Sequence, residues 1–383
     1  MNQELWITGA GMVTSVGSNK NECYAAFCNG VSGVGELQAF NIDKFNSKHA
    51  YEIKDRVNGE ESLRSTRWLC DAIIEAVDQS QIGADITNLP VLVGTGLREL
   101  RTVELYFTDN HPFHLNQLHF GTLVRERLAN SGPVYTVSNA CAASNYSLAL
   151  AEDMLRLGQA EIVCVAGCDT LTESMYGLLG RVNPMVPERL QSFDRNRKGV
   201  LMGEGAAALI LETADHARGR GAKPLARLRA VGLSCDATHE TAPDREGIER
   251  AIRDAHRRSG ISPNDVDVIF VHGTGTSLND STEGAALATV FDPATKPVVL
   301  SGLKSMTGHT SGASGLVGVV TALLALEHKS IPPTVGLEDP IDEVAGMKIS
   351  AELIALPELR LAQINAFGFG GVNSVVMLEG VVS

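Results

Sequence analysis

The sequence predicts an α/β layered protein that is built from two similar halves. Short apolar runs rich in β-branched residues recur along the chain, and each has the composition of a strand buried on both faces. Amphipathic segments with helical spacing lie between them, and such alternation is typical of a layered α/β fold. The order of these patterns in the first half recurs in the second, so we expect one fold built twice.

The predicted strands and helices follow one another along the chain. The strand-like runs lie at 5–8, 91–93, 134–137, 162–165 and 207–211 in the first half, and at 228–231, 268–271, 297–300 and 374–378 in the second. The helical segments lie at 68–80, 144–157, 247–259 and 281–290. Several of them end in Gly, which suits a helix stop. The region 98–130 shows neither pattern, and we interpret it as a lid, an insertion or an interface.

Three pairs of segments carry the internal similarity. VLVGTG (91–96) resembles IFVHGTGT (269–276), VYTVSNACAAS (134–144) resembles VVLSGLKSMTGHTSGAS (298–314), and GAAALILE (205–212) resembles GVNSVVMLE (371–379). We therefore predict an N-terminal half over 1–213 and a C-terminal half over 224–383. The polar, basic stretch 214–223 joins them as a linker or as a helix ending at its glycines. A functional site is expected between the halves.

Composition excludes several classes of protein. The 32 basic and 45 acidic side chains give a net charge of −13, which repels phosphate backbones and argues against a nucleic-acid partner. We find no signal-peptide pattern and no stretch that approaches the length of a bilayer span, so a cytoplasmic protein is expected. The seven cysteines are an odd number without CxxC spacing, which indicates neither a disulfide framework nor a zinc site.

Two familiar motifs are approached but not met. ITGAGMVTSVG (7–17) begins like a dinucleotide-binding turn, but Thr14 stands where the third glycine belongs, and no acidic residue ends a second strand about 20 residues later. We interpret these glycines as a tight structural turn. A serine hydrolase elbow would need GxSxG, and the residues around Ser314 read GASGL.

Cys141 is the candidate nucleophile. A strand-like run leads into it, and the small residues that follow open a predicted helix, so the thiol is placed at a helix N-terminus. Unpaired N–H groups and the helix dipole there favour a thiolate. The second half supplies possible bases after two of its strands, namely His272, Lys304 and His309. Strand ends are where α/β sites form.

Five motifs together identify a family. They are SNACAAS (138–144), FDRNRKGVLMGEGAAALILE (193–212), HGTGTSLNDSTE (272–283), KSMTGH (304–309) and NAFGFGGVNS (365–374). The chain resembles the β-ketoacyl-acyl-carrier-protein synthases of the elongation type, and the resemblance runs from about Trp6 to Glu379. It implies a thiolase-like fold with two α/β halves packed as a five-layered α-β-α-β-α body.

The resemblance implies a Cys-His-His site. Cys141 would accept an acyl group from a carrier pantetheine, and a malonyl thioester would then lose carbon dioxide and attack the acyl-enzyme. His272 and His309 would donate hydrogen bonds from Nε2 to the thioester oxygen as enolate charge develops. The backbone N–H groups of Cys141 and Phe369 would form the second oxyanion hole, and Phe369 would also gate the acyl pocket.

The remaining implied roles are supportive. Lys304 and Glu283 would support the histidines, and Thr274 and Thr276 would bind the pantetheine arm through their hydroxyls. No metal and no resident cofactor are implied, because the carrier protein brings its own phosphopantetheine. Two alternatives have distinct signatures. A non-catalytic chain-length-factor subunit typically lacks the cysteine, and an ester- or amide-forming acyltransferase often alters a histidine.

The resemblance also implies partners. An acidic acyl carrier protein needs a basic patch near the pocket, for which Arg195, Arg197 and Lys198, or the cluster at 218–223, are candidates. The family forms dimers through the sheet edge near the nucleophile strand, so a homodimer or a heterodimer with a related subunit is expected. Gly318 stands where elongation enzymes often carry a glutamate, and the stretch between Gly96 and Cys141 is short. Both departures favour a specialised pathway.

Overall fold

The structure is a computed structural model that describes residues 3–57, 59–183, 185–291 and 296–381. The strands are β1 Leu5–Thr14, β2 Val34–Glu36, β3 His49–Tyr51, β4 Val91–Thr95, β5 Val134–Ser138, β6 Ile162–Asp169, β7 Gly205–Thr213, β8 Ala226–Cys235, β9 Val268–Phe270, β10 Val299–Ser301, β11 Ser330–Ile331, β12 Lys348–Ile349, β13 Ile354–Ala355, β14 Leu361–Gly368 and β15 Val372–Gly380. The helices are α1 Lys20–Cys28, α2 Arg64–Ser80, α3 Leu100–Asp109, α4 Gly121–Leu128, α5 Ala143–Arg156, α6 Glu173–Val182, α7 Ala214–Gly219, α8 Arg245–Ser259, α9 Ser277–Val290, α10 Lys304–Thr307 and α11 Ser314–His328.

The main strands of the two halves follow the same order. The first half reads β5-β4-β6-β7-β1 across its sheet, and the second reads β10-β9-β14-β15-β8. When the five strands of each half are numbered by their order in the sequence, both halves have the spatial order third, second, fourth, fifth, first. The third, second and fourth strands run parallel, and the fifth is antiparallel to both of its neighbours. The repeat predicted from the sequence is therefore a repeat of topology.

The two sheets meet along their first strands. β1 and β8 pair antiparallel over three residues, Leu5 opposite Leu228, Trp6 opposite Arg227 and Ile7 opposite Ala226. Beyond this short contact the sheets separate, and helices α5 and α11 lie between them and against each other. Helices α2 and α4 cover the outer face of the first sheet, and α8 and α9 cover that of the second. This is the α-β-α-β-α body that the resemblance implies.

Helix α11 is apolar all round because it occupies the central layer. The stretch Ser311–His328 is long and apolar enough to cross a membrane by length and composition, which the sequence analysis did not anticipate. Most of this stretch is buried inside the protein, where its leucines and valines join the central core. A helix that is hydrophobic on all faces is what a central layer requires.

Gly9 and Gly11 do not form a turn, so our interpretation was wrong for them, whereas the same segment does end in a tight turn at Thr14–Gly17. β1 runs without a break from Leu5 to Thr14, and Gly9 and Gly11 lie inside it. A Cβ atom at Gly9 would lie 2.0 Å from the carbonyl oxygen of Ala76, and one at Gly11 would lie 2.0 Å from that of Ala72. The glycines therefore allow helix α2 to approach the strand directly.

Three other segments differ from expectation, and the join forms the helix that was one of its two predicted alternatives. The run at 134–137 is not buried on both faces, because β5 is the outermost strand of its sheet and remains partly exposed. β14 was not predicted, since Gln363 and Asn365 interrupt its apolar pattern. The region 98–130 contains helices α3 and α4 with a short 3-10 turn between them, and 214–219 of the join is helix α7.

Candidate active site

Cys141 lies in the connection between β5 and α5. A short 3-10 turn, Ala140–Ala142, precedes the helix, and Ala140 has a positive φ of 48°. Such a backbone conformation is rare for a residue with a Cβ atom, and it occurs often near functional sites. Cys141 is partly exposed and lines a pocket at the strand ends, which has a volume of about 350 Å³.

The thiol is protonated at neutral pH in this structure, contrary to the expectation of a thiolate. Burial by the surrounding protein raises the pKa of Cys141 to about 11. The charge of Lys304 and the backbone N–H groups of Phe369 and Cys141 lower it, but they do not offset the loss of solvation. These two N–H groups point to the sulfur, and they are the pair implied as the second oxyanion hole.

His272 and His309 line the same pocket. Their ring centroids are 5.4 Å apart, with the planes nearly perpendicular at 85°. Both side chains are buried, and burial together with the charge of Lys304 lowers both pKa values well below their usual range. Both rings are therefore neutral at physiological pH, as an uncharged hydrogen-bond donor must be.

The partners of the ring nitrogens fix which nitrogen carries the proton. The Nζ of Lys304 donates to the carbonyl oxygen of His272 at 2.5 Å and lies 3.4 Å from its Nδ1. Burial lowers the pKa of Lys304 to about 8, so at pH 7 it is an ammonium group that can only donate. Nδ1 of His272 then accepts, and the proton lies on Nε2.

His309 has a hydroxyl partner instead. Its Nδ1 is 2.9 Å from Oγ of Ser314, whose hydroxyl is also 3.1 Å from Oγ1 of Thr310. A Ser314 hydroxyl that donates to Nδ1 leaves the proton of His309 on Nε2, which is the tautomer that the implied donor role requires. The sequence considered Ser314 only as a hydrolase nucleophile. Its position five residues after His309, at the start of α11, was the sequence feature that could have indicated a hydrogen-bond partner for this histidine.

Glu283 holds the turn that carries His272. It accepts hydrogen bonds from the backbone N–H groups of His272 and Gly273 at 2.8 Å each, and from Nδ2 of Asn365 at 2.9 Å. The side chain is fully buried, which raises its pKa, and it does not line the pocket. Its contacts are with the backbone of the site and not with the space where a substrate would lie.

The threonines and Phe369 lie on the pocket wall. The hydroxyls of Thr274 and Thr276 are 3.0 Å apart, and both residues line the pocket. Phe369 is 38% exposed, on the turn that joins β14 to β15. Gly371 in this turn has a φ of 76°, and a Cβ atom there would lie 1.4 Å from Oδ1 of Asp236, so only glycine fits.

The charges around the pocket are distributed unevenly. Arg181 on α6 lines the pocket, and no Asp or Glu does among the described residues. Arg197 donates to the carbonyl oxygens of Thr276 and Ser277 beside the pocket, whereas Arg195 is paired with Asp339 and Asp342.

The second candidate patch, at 218–223, lies far from the pocket. It begins in the last turn of α7, near the end of β7 that points away from the pocket. Arg218 is paired there with Glu4 and Asp215, and Arg220 is bound to Glu212. This cluster is therefore the wrong choice for a patch beside the pocket.

A small space lies beside Lys304 and Gly318. A cavity of about 20 Å³ is lined by Lys304, Thr307, Asn365 and Gly318, among others. The nearby charges that raise the pKa of Lys304 are those of Glu283, Cys141 and Asp280. Among the described residues, no cluster of His, Cys, Asp or Glu side chains is arranged to hold a metal ion.

Comparison with known proteins agrees with this geometry. Sequence models of the "Beta-ketoacyl synthase, N-terminal domain" and the "Beta-ketoacyl synthase, C-terminal domain" match residues 2–217 and 225–338. The protein belongs to the β-ketoacyl synthase family, and its fold is that of the thiolase-like condensing enzymes.

The individual relatives differ in how much of the chain they cover. Nodulation protein E of Rhizobium meliloti is 34% identical over 251 residues, which span 65% of this chain and 62% of that protein. 3-oxoacyl-[acyl-carrier-protein] synthase 2 of Coxiella burnetii is 28% identical over 98% of both chains. A structure described as "The ishigamide ketosynthase/chain length factor" superposes with a TM-score of 0.89 and 29% identity over the full length of both chains.

Proposed function

We propose that the protein is a β-ketoacyl-acyl-carrier-protein synthase. The observation that carries this proposal is the meeting of Cys141 from the first half with His272 and His309 from the second in one pocket of about 350 Å³. We also retain the proposed division into an N-terminal half over 1–213, which carries the nucleophile, and a C-terminal half over 224–383, which carries the histidines.

The first step is acyl transfer. The Cys141 sulfur attacks the carbonyl carbon of an acyl thioester on a carrier protein, and the tetrahedral oxyanion is stabilised by the N–H groups of Cys141 and Phe369. The bond to the pantetheine sulfur breaks, and this sulfur takes up the proton that the thiol gives up. Because burial raises the pKa of Cys141 to about 11, deprotonation must accompany the attack.

The second step is decarboxylative condensation. The malonyl thioester oxygen accepts hydrogen bonds from Nε2 of His272 and His309 while the carbon–carbon bond to the carboxylate breaks and carbon dioxide leaves. The resulting enolate carbon attacks the acyl carbon on Cys141, and the Cys141 sulfur leaves and is reprotonated. Neutral donors suit this step, because they stabilise the developing charge without holding the malonyl carboxylate as an ion pair.

The carrier arm has matching chemistry along the pocket. The hydroxyls of Thr274 and Thr276 are placed for the amides of a pantetheine arm, and Arg181 is a cation for its phosphate. The carrier supplies the phosphopantetheine, and we propose no resident cofactor. The reaction is assigned to the cytoplasm, in keeping with the burial of the apolar helix α11.

A specialised pathway is the favoured setting. The relatives include Nodulation protein E and the ishigamide ketosynthase/chain length factor as well as 3-oxoacyl-[acyl-carrier-protein] synthase 2. Gly318 also occupies a position where elongation enzymes often carry a glutamate near the second histidine, so this chain lacks that carboxylate there. We propose that the substrate is a carrier-bound acyl chain of a specialised fatty acid or polyketide pathway.

The test is intact-mass measurement of the protein after incubation with a panel of acyl carrier thioesters, followed by malonyl carrier. We expect an acyl adduct on Cys141 that is discharged as a β-ketoacyl product. Cys141→Ala should form no adduct, whereas Cys235→Ala, which removes an exposed thiol, should behave like the wild type. An adduct that an alcohol or amine discharges, and malonyl carrier does not, would indicate the ester- or amide-forming alternative. No adduct would indicate a chain-length-factor-like subunit.

A further inference from the structure

Asp169 is a buried carboxylate to which the sequence analysis gave no role. It is the last residue of β6 and is 1% exposed. Its oxygens accept four hydrogen bonds: from the Thr95 hydroxyl at 2.8 Å, and from the backbone N–H groups of Gly96 at 2.7 Å, Leu97 at 2.9 Å and Gly312 at 2.6 Å. Both of its oxygens are thus fully used by neutral donors.

The four donors come from both halves of the protein. Thr95 ends β4, Gly96 and Leu97 begin the turn after it, and both of these turn residues line the pocket. Gly312 belongs to the short 3-10 turn Ser311–Ala313, which separates His309 from its partner Ser314. One carboxylate therefore ties the pocket wall of the first half to the segment that orients a histidine of the second.

The two turns are in direct contact above Asp169. A Cβ atom at Gly312 would lie 2.5 Å from the backbone nitrogen of Gly96, and one at Gly96 would lie 2.4 Å from Oγ of Ser311. No side chain fits between the two backbones. Small displacements of one turn are therefore transmitted to the other, because a close-packed contact cannot absorb them.

The equivalent turn of the second half is also held by a carboxylate, but this carboxylate bonds only within its own half. Glu283 accepts from His272 and Gly273 in the turn after β9, which matches the turn after β4 in strand order. Its third donor, Asn365, belongs to the same half. Each half thus uses a buried carboxylate to hold the turn after its second strand, but of these two only Asp169 bonds across to the other half.

We propose that Asp169 is a positioning residue. It fixes the position of the acyl-pocket wall at Leu97 relative to the turn after His309, so that the groups for acyl loading and those for condensation keep their relative positions. This inference rests on the proposed function for its catalytic consequence. Asp169 touches no substrate and acts through the backbone that it holds.

The test compares Asp169→Asn with Asp267→Asn. Asp267 is also buried and accepts from the backbone N–H groups of Arg360 at 2.8 Å and Leu361 at 2.9 Å. It lies just before β9, at the strand end opposite the site, and it also forms an ion pair with Lys296, so it is a control for the loss of a buried carboxylate away from the site. Asp169→Asn keeps the size of the side chain but turns an amide NH₂ toward backbone donors, which leaves buried N–H groups without an acceptor.

We expect two results from Asp169→Asn that the control does not give. Hydrogen–deuterium exchange of the peptides containing Gly96, Leu97 and Gly312 should become faster. The KM for acyl loading should rise about tenfold while kcat changes little, because the pocket wall moves and the thiol does not. A residue that matters only for stability would lower the unfolding midpoint without this division between KM and kcat.

The outcomes separate the two proposals. If the wild-type protein forms no acyl adduct, the proposed function fails, and the hydrogen–deuterium exchange measurement still tests whether Asp169 positions the two turns. If the wild type is active but Asp169→Asn matches Asp267→Asn in exchange and in KM, the positioning role is wrong. Should Asp169→Asn yield no folded protein, Thr95→Val removes one of the four donors and is measured in the same way. Unchanged exchange at Gly312 in that variant would also overturn the proposal.

Discussion

The reactivity of Cys141 is set by a competition between burial and the groups that point to its sulfur. The start of helix α5, the N–H of Phe369 and the charge of Lys304 all favour a thiolate, yet burial holds the pKa at about 11. A helix terminus contributes modestly at an exposed position, and desolvation of a buried thiol exceeds it. The thiol is thus protonated at neutral pH, and in the proposed mechanism the nucleophile forms as the substrate thioester arrives.

Lys304 gives the condensation step a pH dependence that can be measured separately. Burial lowers its pKa to about 8, so it is charged below pH 8 and neutral above. A neutral amine no longer forces Nδ1 of His272 to accept, and the Nε2–H donor is lost from part of the population. The rate of malonyl-dependent discharge should therefore fall from pH 7 to pH 9, by at most about tenfold.

The measurement uses protein that has already been acylated, so that titration of the Cys141 thiol makes no contribution. Discharge is followed by intact mass across this pH range. Lys304→Met keeps the apolar stem without the charge and should be slow at every pH, with no descending limb. A wild-type rate that stays flat or rises between pH 7 and pH 9 would contradict the assignment of Lys304.

The sequence located the pocket residues that carry the proposed chemistry because their motifs are local. Cys141, His272, His309, Thr274 and Phe369 each follow a strand or a glycine turn that could be recognised, and all of them line the pocket. Asp169 and Ser314 were not assigned roles, because their partners lie in other segments that only the fold brings together. The direction in which the pKa of Cys141 shifts also depends on burial, which the local sequence does not reveal.

At the scale of elements, buried polar residues and close packing explain what the sequence analysis missed. β14 escaped prediction because Gln363 and Asn365 break its apolar run, although both are buried and Nε2 of Gln363 donates to Oδ1 of Asn365 at 2.8 Å. Gly9 and Gly11 resemble a turn but permit a helix to touch a strand. Periodicity describes which faces are apolar, and it does not describe how near a neighbouring element comes.

The close contact between β1 and α2 predicts that one methyl group added at Gly11 strongly destabilises the protein. Gly11→Ala places a Cβ atom 2.0 Å from the carbonyl oxygen of Ala72, so the helix or the strand must move. We expect a loss of about 3 kcal/mol in the free energy of unfolding, the size typical of overpacking a core. The measurement is the urea midpoint followed by circular dichroism.

Gly35→Ala is the matched control for this variant. Gly35 lies in β2, and a Cβ atom there would meet nothing within 4 Å. Its urea midpoint should be equal to or slightly above that of the wild type, because alanine restricts the unfolded chain. Equal midpoints for both variants would mean that α2 does not press on β1 as the structure describes.

At the scale of the whole molecule, repetition places unlike residues around one pocket. Both sheets direct the C-terminal ends of their parallel strands toward the site, where α/β proteins place ligands. The first half contributes Cys141 after β5, and the second contributes His272 after β9 and His309 after β10. The duplicated fold therefore supplies the nucleophile and the hydrogen-bond donors from separate halves, and Asp169 links the two.

The exposed edge at β5 predicts a dimer. β5 is the last strand of its sheet, so one side of its backbone has no strand partner, and Tyr135 on it is 50% exposed. Leu115, in the 3-10 turn that contacts α4, is 77% exposed, and α4 packs against β5. An unpaired edge strand bordered by apolar side chains is a surface for pairing with another chain.

We expect the wild-type protein to sediment at twice its chain mass of 40.7 kDa, and Tyr135→Asp to sediment as a single chain with an unchanged circular dichroism spectrum, because the new charge would lie in the interface. Leu353→Asp is the control, since Leu353 is similarly exposed, at 46%, but lies in the second half. A wild-type protein that is monomeric alone and dimeric only with a related ketosynthase-like subunit would establish a heterodimer. A Tyr135→Asp variant that stays dimeric would place the interface elsewhere on the molecule.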